Sequence, residues 1–172
     1  MKRIIGFFIV FALSIGAFAS DYDELPAPSS ESDFKTLSRE AHFGHIPAKY
    51  ELALLYATGK GVAKDPHKAL ALFYEAAKHN DLNAEYAVGL YCLNGWVVEK
   101  SIPHAMYWLR RAALHGNAKA QLLLGSIYEN GIKDERTNQV VEKSPSRAKA
   151  MYSLAAQNGL AKAQRRLAEM KE

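Results

Sequence analysis

The chain has one cysteine in 172 residues, Cys92. A single thiol cannot close an intramolecular disulfide, so packing alone must hold the fold. Cys92 itself reads as a small buried apolar residue. No Asn-x-Ser/Thr sequon occurs. The short motifs that mark metal, nucleotide or nucleophile chemistry are also missing: there is no HExxH, GxSxG, P-loop or CxxC. Gly59-Lys60-Gly61 is a turn, not a phosphate cradle. The chain is therefore not expected to be an enzyme, and no cofactor or metal is expected.

Charge is unevenly divided along the chain. The formal net charge is +4, but residues 1–33 hold two basic and five acidic residues, against twenty and thirteen in residues 34–172. The cations are spread over helix positions, with Arg110-Arg111 and Arg165-Arg166 the nearest to clusters. This predicts a solvated surface and no nucleic-acid partner. His79 and His115 lie 36 residues apart near predicted helix ends, where the helix dipole favours them. His42 and His45 flank Gly44 in a predicted turn. None of the four is read as a metal ligand.

At the N-terminus, Lys2 and Arg3 precede an apolar run from Ile4 to Phe18, and Ala17-Phe18-Ala19 has the small-x-small form of a cleavage site. Residues 1–19 are expected to be a signal peptide cut between Ala19 and Ser20. That predicts a periplasmic or secreted protein with no stable membrane anchor after cleavage. Residues 20–30, rich in Ser, Pro and acid, are expected to be a flexible linker.

From there the sequence repeats. Phe34, Leu37 and Ala41 give helical spacing within residues 31–47, a predicted capping helix ended by Gly44. In residues 48–83, Ala48, Leu52, Leu55 and Tyr56 form one apolar stripe, and Gly59 with Gly61 ends it in a turn that needs positive φ. Asp65-Pro66 starts the next helix as N-cap and first residue, and Ala69, Leu72, Phe73, Ala76 and Ala77 face inward.

Moving on by 36 residues gives Ala84, Val88, Gly95, Val98, Ala105, Trp108 and Ala112-Ala113 in residues 84–119. A second step gives Ala120, Leu124, Gly125, Tyr128 and Gly131, after which seven extra residues shift the register in residues 120–162. The insertion, 132–143, is expected to protrude as a charged turn, and residues 163–172 form a final half-copy as a C-terminal cap. Repetition at this period means stacked helix pairs whose Ala and Gly rows let helices approach closely.

These positions resemble the Sel1-like repeat, a relative of the tetratricopeptide repeat. The resemblance rests on Ala48, Leu52, Tyr56, Gly59, Gly61, Val62, Asp65, Lys68, Ala69, Ala76 and Ala77, with the matching Gly89, Gly95, Trp108, Gly116, Gly125, Tyr128, Gly131 and Gly159. The middle copy departs at Cys92, Val97 and Ser101. The resemblance implies an all-α fold, a right-handed superhelical α-solenoid of antiparallel helix pairs. It implies a monomeric scaffold whose partner is a protein or peptide bound on the concave face, acting as adaptor or regulator in a bacterial envelope or in host interaction. A cysteine-rich branch of the family is associated with β-lactam binding, and this chain lacks that branch's cysteines. An enzyme acting on β-lactams or cell-wall material, and a peptidoglycan or carbohydrate binder using Trp96 and Trp108, are the alternatives.

In such solenoids the first helices line the concave face. Removing the core stripe leaves Tyr50, Leu54, Tyr86, Leu90, Leu93, Asn94, Leu122, Ser126 and Glu129 as the candidate protein-binding residues. Two readings stand side by side: an apolar groove for a partner helix or extended peptide, or packing between neighbouring first helices. Tyrosine can do both, burying its ring and presenting its hydroxyl.

Overall fold

The computed structural model describes residues 31–170. The expected signal peptide and linker, residues 1–19 and 20–30, lie outside the described residues. Among the described residues eight helices follow in order: α1 (Glu31–His42), α2 (Ile46–Thr58), α3 (Pro66–Lys78), α4 (Leu82–Asn94), α5 (Ile102–Leu114), α6 (Ala118–Asn130), α7 (Pro145–Gln157) and α8 (Ala161–Glu169). Strands β1 (Ile132–Asp134) and β2 (Gln139–Val141) interrupt the series between α6 and α7. Each helix packs on the next, so the chain is an all-α solenoid of helix pairs carrying one small hairpin.

Helices α3, α4 and α6 begin where a side chain supplies oxygen for their free amides. Asp65 Oδ1 accepts from Lys68 N at 3.0 Å, Asp81 Oδ1 from Ala84 N at 2.8 Å and Asn117 Oδ1 from Ala120 N at 2.9 Å. Helices α2 to α5 end on left-handed residues: Gly59 and Gly95 at φ 80° and 72°, and Asn80 and Gly116 at φ 63° and 92°. Val97 stands at φ 50°, where the preceding repeat has Gly61 at φ 71°. A β-branched side chain is strained in that region, so the middle copy's departure at Val97 leaves the turn geometry intact at an energetic cost.

One hydrogen bond closes the turn inside every pair. Asp65 N donates to Tyr56 O at 2.8 Å, Ser101 N to Cys92 O at 2.9 Å and Ser144 N to Tyr128 O at 2.6 Å. The third bond forms despite the insertion, because Gly131 combines φ 69° with ψ 167° and sends the chain into β1 instead of around the tight turn. The insertion does not protrude as an irregular turn. It folds as an antiparallel hairpin, pairing Ile132 with Val141 and Asp134 with Gln139. Gln139 Oε1 then accepts from Ile102 N at 3.1 Å, and Arg136 pairs with Glu99 at 2.6 Å. The hairpin is thus pinned to the turn before α5, where it satisfies an amide at that helix's start.

Helix contact depends on small residues. A Cβ added at Gly89 would stand 2.8 Å from Leu109 Cδ2, and one at Gly125 would stand 2.5 Å from Tyr152 Cε1. Ala53 is the equivalent of both and is fully buried. Ala48, Ala84 and Ala120 form a second row, and Ala76, Ala112 and Ala155 a third. Phe73, Leu109 and Leu124 fill the space between them, each worth roughly 1.5–3 kcal/mol of burial. Leu37, Ala41, Ala48, Leu52 and Leu55 make a smaller cluster that seats α1.

A polar ladder runs through the same interfaces. Lys49 on α2 pairs with Glu75 on α3. One repeat on, the charges are exchanged: Glu85 on α4 pairs with Arg111 on α5 at 2.9 Å and with His115 at 2.8 Å. In the third repeat the ladder is neutral. Gln121 donates to Ala113 O at 2.9 Å and accepts from Asn158 at 2.8 Å, and Leu154 takes the place of Glu75 and Arg111. Glu85 is fully buried, so removing Arg111 leaves His115 as its remaining partner. Arg111→Ala is expected to cost about 1–3 kcal/mol in urea unfolding. Glu85→Gln combined with Arg111→Leu, which copies the third repeat, is expected to recover most of that loss in a double-mutant cycle. Gly125→Ala is expected to cost roughly 1–3 kcal/mol by the same measurement, because the Tyr152 ring cannot give way.

Candidate functional site

The first helices α2, α4 and α6 carry equivalent positions 36 residues apart, so their side chains form ladders across the stack. Tyr50, Tyr86 and Leu122 make one ladder. All three are half-buried, packed on the core on one side and accessible on the other. The Tyr50 ring lies 5.7 Å from that of Phe73. Burial, with the nearby carboxylates of Asp81 and Glu51 adding to it, pushes its phenol well above the usual tyrosine range. Its hydroxyl therefore stays protonated and available as a donor.

Leu54, Leu90 and Ser126 make the second ladder, and here the structure corrects the expectation. Leu54 and Ser126 are half-buried, but Leu90 is only 4% exposed and Leu93 only 7%. α4 is the central first helix of the stack, packed between α3 and α5. Its two leucines pack inward and are not free positions on the face.

Asn94 is likewise engaged within its own helix, its Nδ2 donating to Leu90 O at 3.0 Å. Thr58 and Asn130 make the same bond to Leu54 O and Ser126 O, at 2.8 and 2.9 Å. This position satisfies a carbonyl at the end of each first helix.

Glu129 is a clasp for the C-terminal helix. It accepts from Tyr152 OH at 2.7 Å and from Arg166 at 2.6 Å and 3.1 Å. Burial pushes its carboxyl up, but the hydrogen bonds from Arg166 and Tyr152 outweigh that and hold it below the usual carboxylate range. A carboxyl depressed in the folded state stabilises the fold above its unfolded pKa, and that contribution is lost as pH falls through the lower folded value. The protection factors of amides in α8 are therefore expected to fall below about pH 4, and Glu129→Gln is expected to flatten that dependence.

The other candidates are placed as follows. Trp96 packs on Tyr91 at 5.3 Å, and Trp108 lies between Tyr74 and Tyr107 at 5.7 and 5.2 Å. Cys92 is buried, its thiol pushed up by that burial, with Tyr74 OH 3.6 Å away. His79 and His115 cap α3 and α5, and His115 binds Glu85 as described. His42 and His45 are exposed. The Glu85–Arg111–His115 cluster was not anticipated. Its signal in the sequence was a residue pair, 49 with 75 and 85 with 111, whose charges reverse after one period.

A stack of helix pairs carrying a half-exposed apolar ladder along its first helices defines a repeat scaffold. Residues 46–81, 82–117 and 118–160 match the Sel1 repeat, and the chain belongs to the Sel1 repeat family. Its fold is similar to that of a Sel1 repeat protein from Oxalobacter formigenes, at 30% identity and a TM-score of 0.67 over 80% of this chain and 98% of that one. It is also similar to a protective antigen of uropathogenic Escherichia coli with an SLR fold, at 26% identity and a TM-score of 0.71, covering 81% of this chain and 28% of that one. Among curated proteins it resembles chitin synthase regulatory factor 2 of Schizosaccharomyces pombe, 29% identical over 157 residues. That match takes in 89% of this chain but only 29% of the relative. Further curated relatives are chitin synthase regulators of Malassezia restricta and Saccharomyces cerevisiae. These names are those of regulators, not of enzymes. They also overturn the expected periplasmic or secreted location, since the named relatives are fungal regulators that are not periplasmic.

Proposed function

We propose that the chain is a regulatory adaptor that holds a segment of a partner protein along the face built by α2, α4 and α6. The observation that supports this reading is the ladder Tyr50–Tyr86–Leu122, with Leu54 and Ser126 beside it. Its rungs are half-exposed and recur once per repeat. Packed helices are spaced about 10 Å apart. An extended segment rises about 3.3 Å per residue, so every third side chain meets a rung. A partner helix meets the rungs with residues seven apart, at 1.5 Å per residue. The rungs supply apolar contact area, and the tyrosine hydroxyls supply donors to the partner's backbone. Regulation then comes from association, with the chemistry left to the partner. The names of the curated relatives agree with that division of labour.

Peptides selected from a displayed library against the wild-type protein test this reading. Binders are expected to lose at least about tenfold in affinity on Tyr86→Ala, with the helical circular dichroism unchanged. Leu90→Ala is expected to lower stability instead, by about 2–5 kcal/mol for a buried leucine. Binders that are insensitive to Tyr50, Tyr86 and Leu122 would sink the assignment of this face.

A further inference from the structure

The second helices α3, α5 and α7 form the outer row of the solenoid, and their charge is one-sided. They carry Lys68, Lys78, Arg110, Arg111, Arg147 and Lys149, against the single acid Glu75. The first helices α2, α4 and α6 carry Lys49 and Lys119 against Glu51, Glu85 and Glu129. The excess of cations on these six helices is therefore carried by the second-helix row, which a linear reading of the sequence does not reveal.

Much of that charge is uncompensated. Lys68 lies 3.4 Å from Asp65, and Arg111 is used by Glu85. Among the described residues, Lys78, Arg110, Arg147 and Lys149 have no carboxylate partner, and all four are exposed. Two of them are drawn together. Arg110 on α5 donates to Tyr128 OH at 3.1 Å, and the Arg147 guanidinium on α7 sits 5.7 Å from the centre of the same ring. Two guanidinium groups gathered at one tyrosine, with no acid beside them, raise the local positive potential and await an anion.

Large apolar side chains stand out from the same row. Leu114 is 84% exposed and Tyr107 54% exposed, both on α5. The equivalent positions on α3 are Lys78 and Ala71, and on α7 they are Gln157 and Ala150. The protruding pair is thus peculiar to the middle repeat and is not a demand of the fold.

We propose that this outer face docks on an anionic lipid surface. In that arrangement Tyr107 and Leu114 enter the headgroup layer, while Lys78, Arg110, Arg147 and Lys149 meet lipid phosphates and carboxylates. Shape and charge select this occupant. The outer row of a solenoid is convex, and its two most exposed apolar side chains, Leu114 and Tyr107, lie seven residues apart on one helix, a shape that suits a broad deformable surface better than an inserted peptide. A deformable interface accepts isolated Leu and Tyr side chains and rewards each nearby cation. A second copy of the chain is disfavoured, because two like-charged faces would meet. The partner segment on α2, α4 and α6 would remain accessible, since it lies on the opposite row.

Vesicle cosedimentation with the full chain tests this directly. Binding is expected to vesicles of phosphatidylcholine with one third phosphatidylserine, to be lost on vesicles of phosphatidylcholine alone, and to weaken steeply with added salt. Each cation reversed should cost roughly fivefold or more. Arg110→Glu with Arg147→Glu should therefore reduce binding at least about twentyfold. Leu114→Ser should weaken it without changing the salt dependence. Lys149→Glu, at an exposed side chain, gives a variant that cannot be dismissed as misfolded, and Tyr86→Ala should bind vesicles like the wild type. Equal binding to both vesicle types, no binding to either, or tighter binding to polyglutamate than to anionic vesicles would each overturn the proposal. The last result would assign the face to an acidic protein segment instead.

Discussion

The close approach of paired helices is the constraint on which everything else in this molecule depends. At Gly89 and Gly125 there is no room for even one methyl group, because Leu109 and Tyr152 occupy the space where a Cβ would stand. Ala53 marks the nearest alternative that the first repeat tolerates. With the helices held that near, alanine rows replace large side chains at the seams, and a few aromatic and leucine residues fill what remains. Small residues alone cannot bury much surface. The stack must therefore grow by repetition, each pair covering the apolar face that its neighbour leaves open.

The same constraint explains how an insertion is tolerated. The seven extra residues sit between Gly131 and Ser144, and the bond from Ser144 N to Tyr128 O closes beneath them as it does in the uninterrupted repeats. Closing a longer loop costs little extra entropy, so α7 takes its place beside α6 as though the insertion were absent. Once formed, the hairpin contributes by capping α5 through Gln139 and by pairing Arg136 with Glu99.

Tight stacking also settles how much of the first-helix face is open. α4 has a repeat on both sides, and its Leu90 and Leu93 are consumed by packing. Tyr50, Tyr86 and Leu122 stay half-exposed, because each ring or branch bridges from the core to the surface. The polar ladder from Lys49–Glu75 through Glu85–Arg111 to Gln121 gives every interface a different partner requirement. Setting α3 in the place of α5 would bury Glu85 against Glu75 instead of Arg111.

The amino-acid sequence by itself determined the helix pairs, their period, the cap at Asp65 and the positions of the turns. All of these are local, set by short-range hydrogen bonds and by the spacing of apolar side chains along one helix. It also located the face formed by Tyr50, Tyr86 and Leu122, because a ladder in a stack is a fixed offset in the chain. Only the tertiary structure decided which members of that face are closed, that Glu129 is a clasp for α8, that the insertion is a docked hairpin, and that Glu85 is buried against Arg111 and His115. These are contacts between residues 23 to 37 positions apart, and burial at one position depends on what its neighbours in space leave uncovered. The periodic spacing says that two residues are equivalent; it does not say that one of them, in the middle of the stack, has no room left to meet a partner.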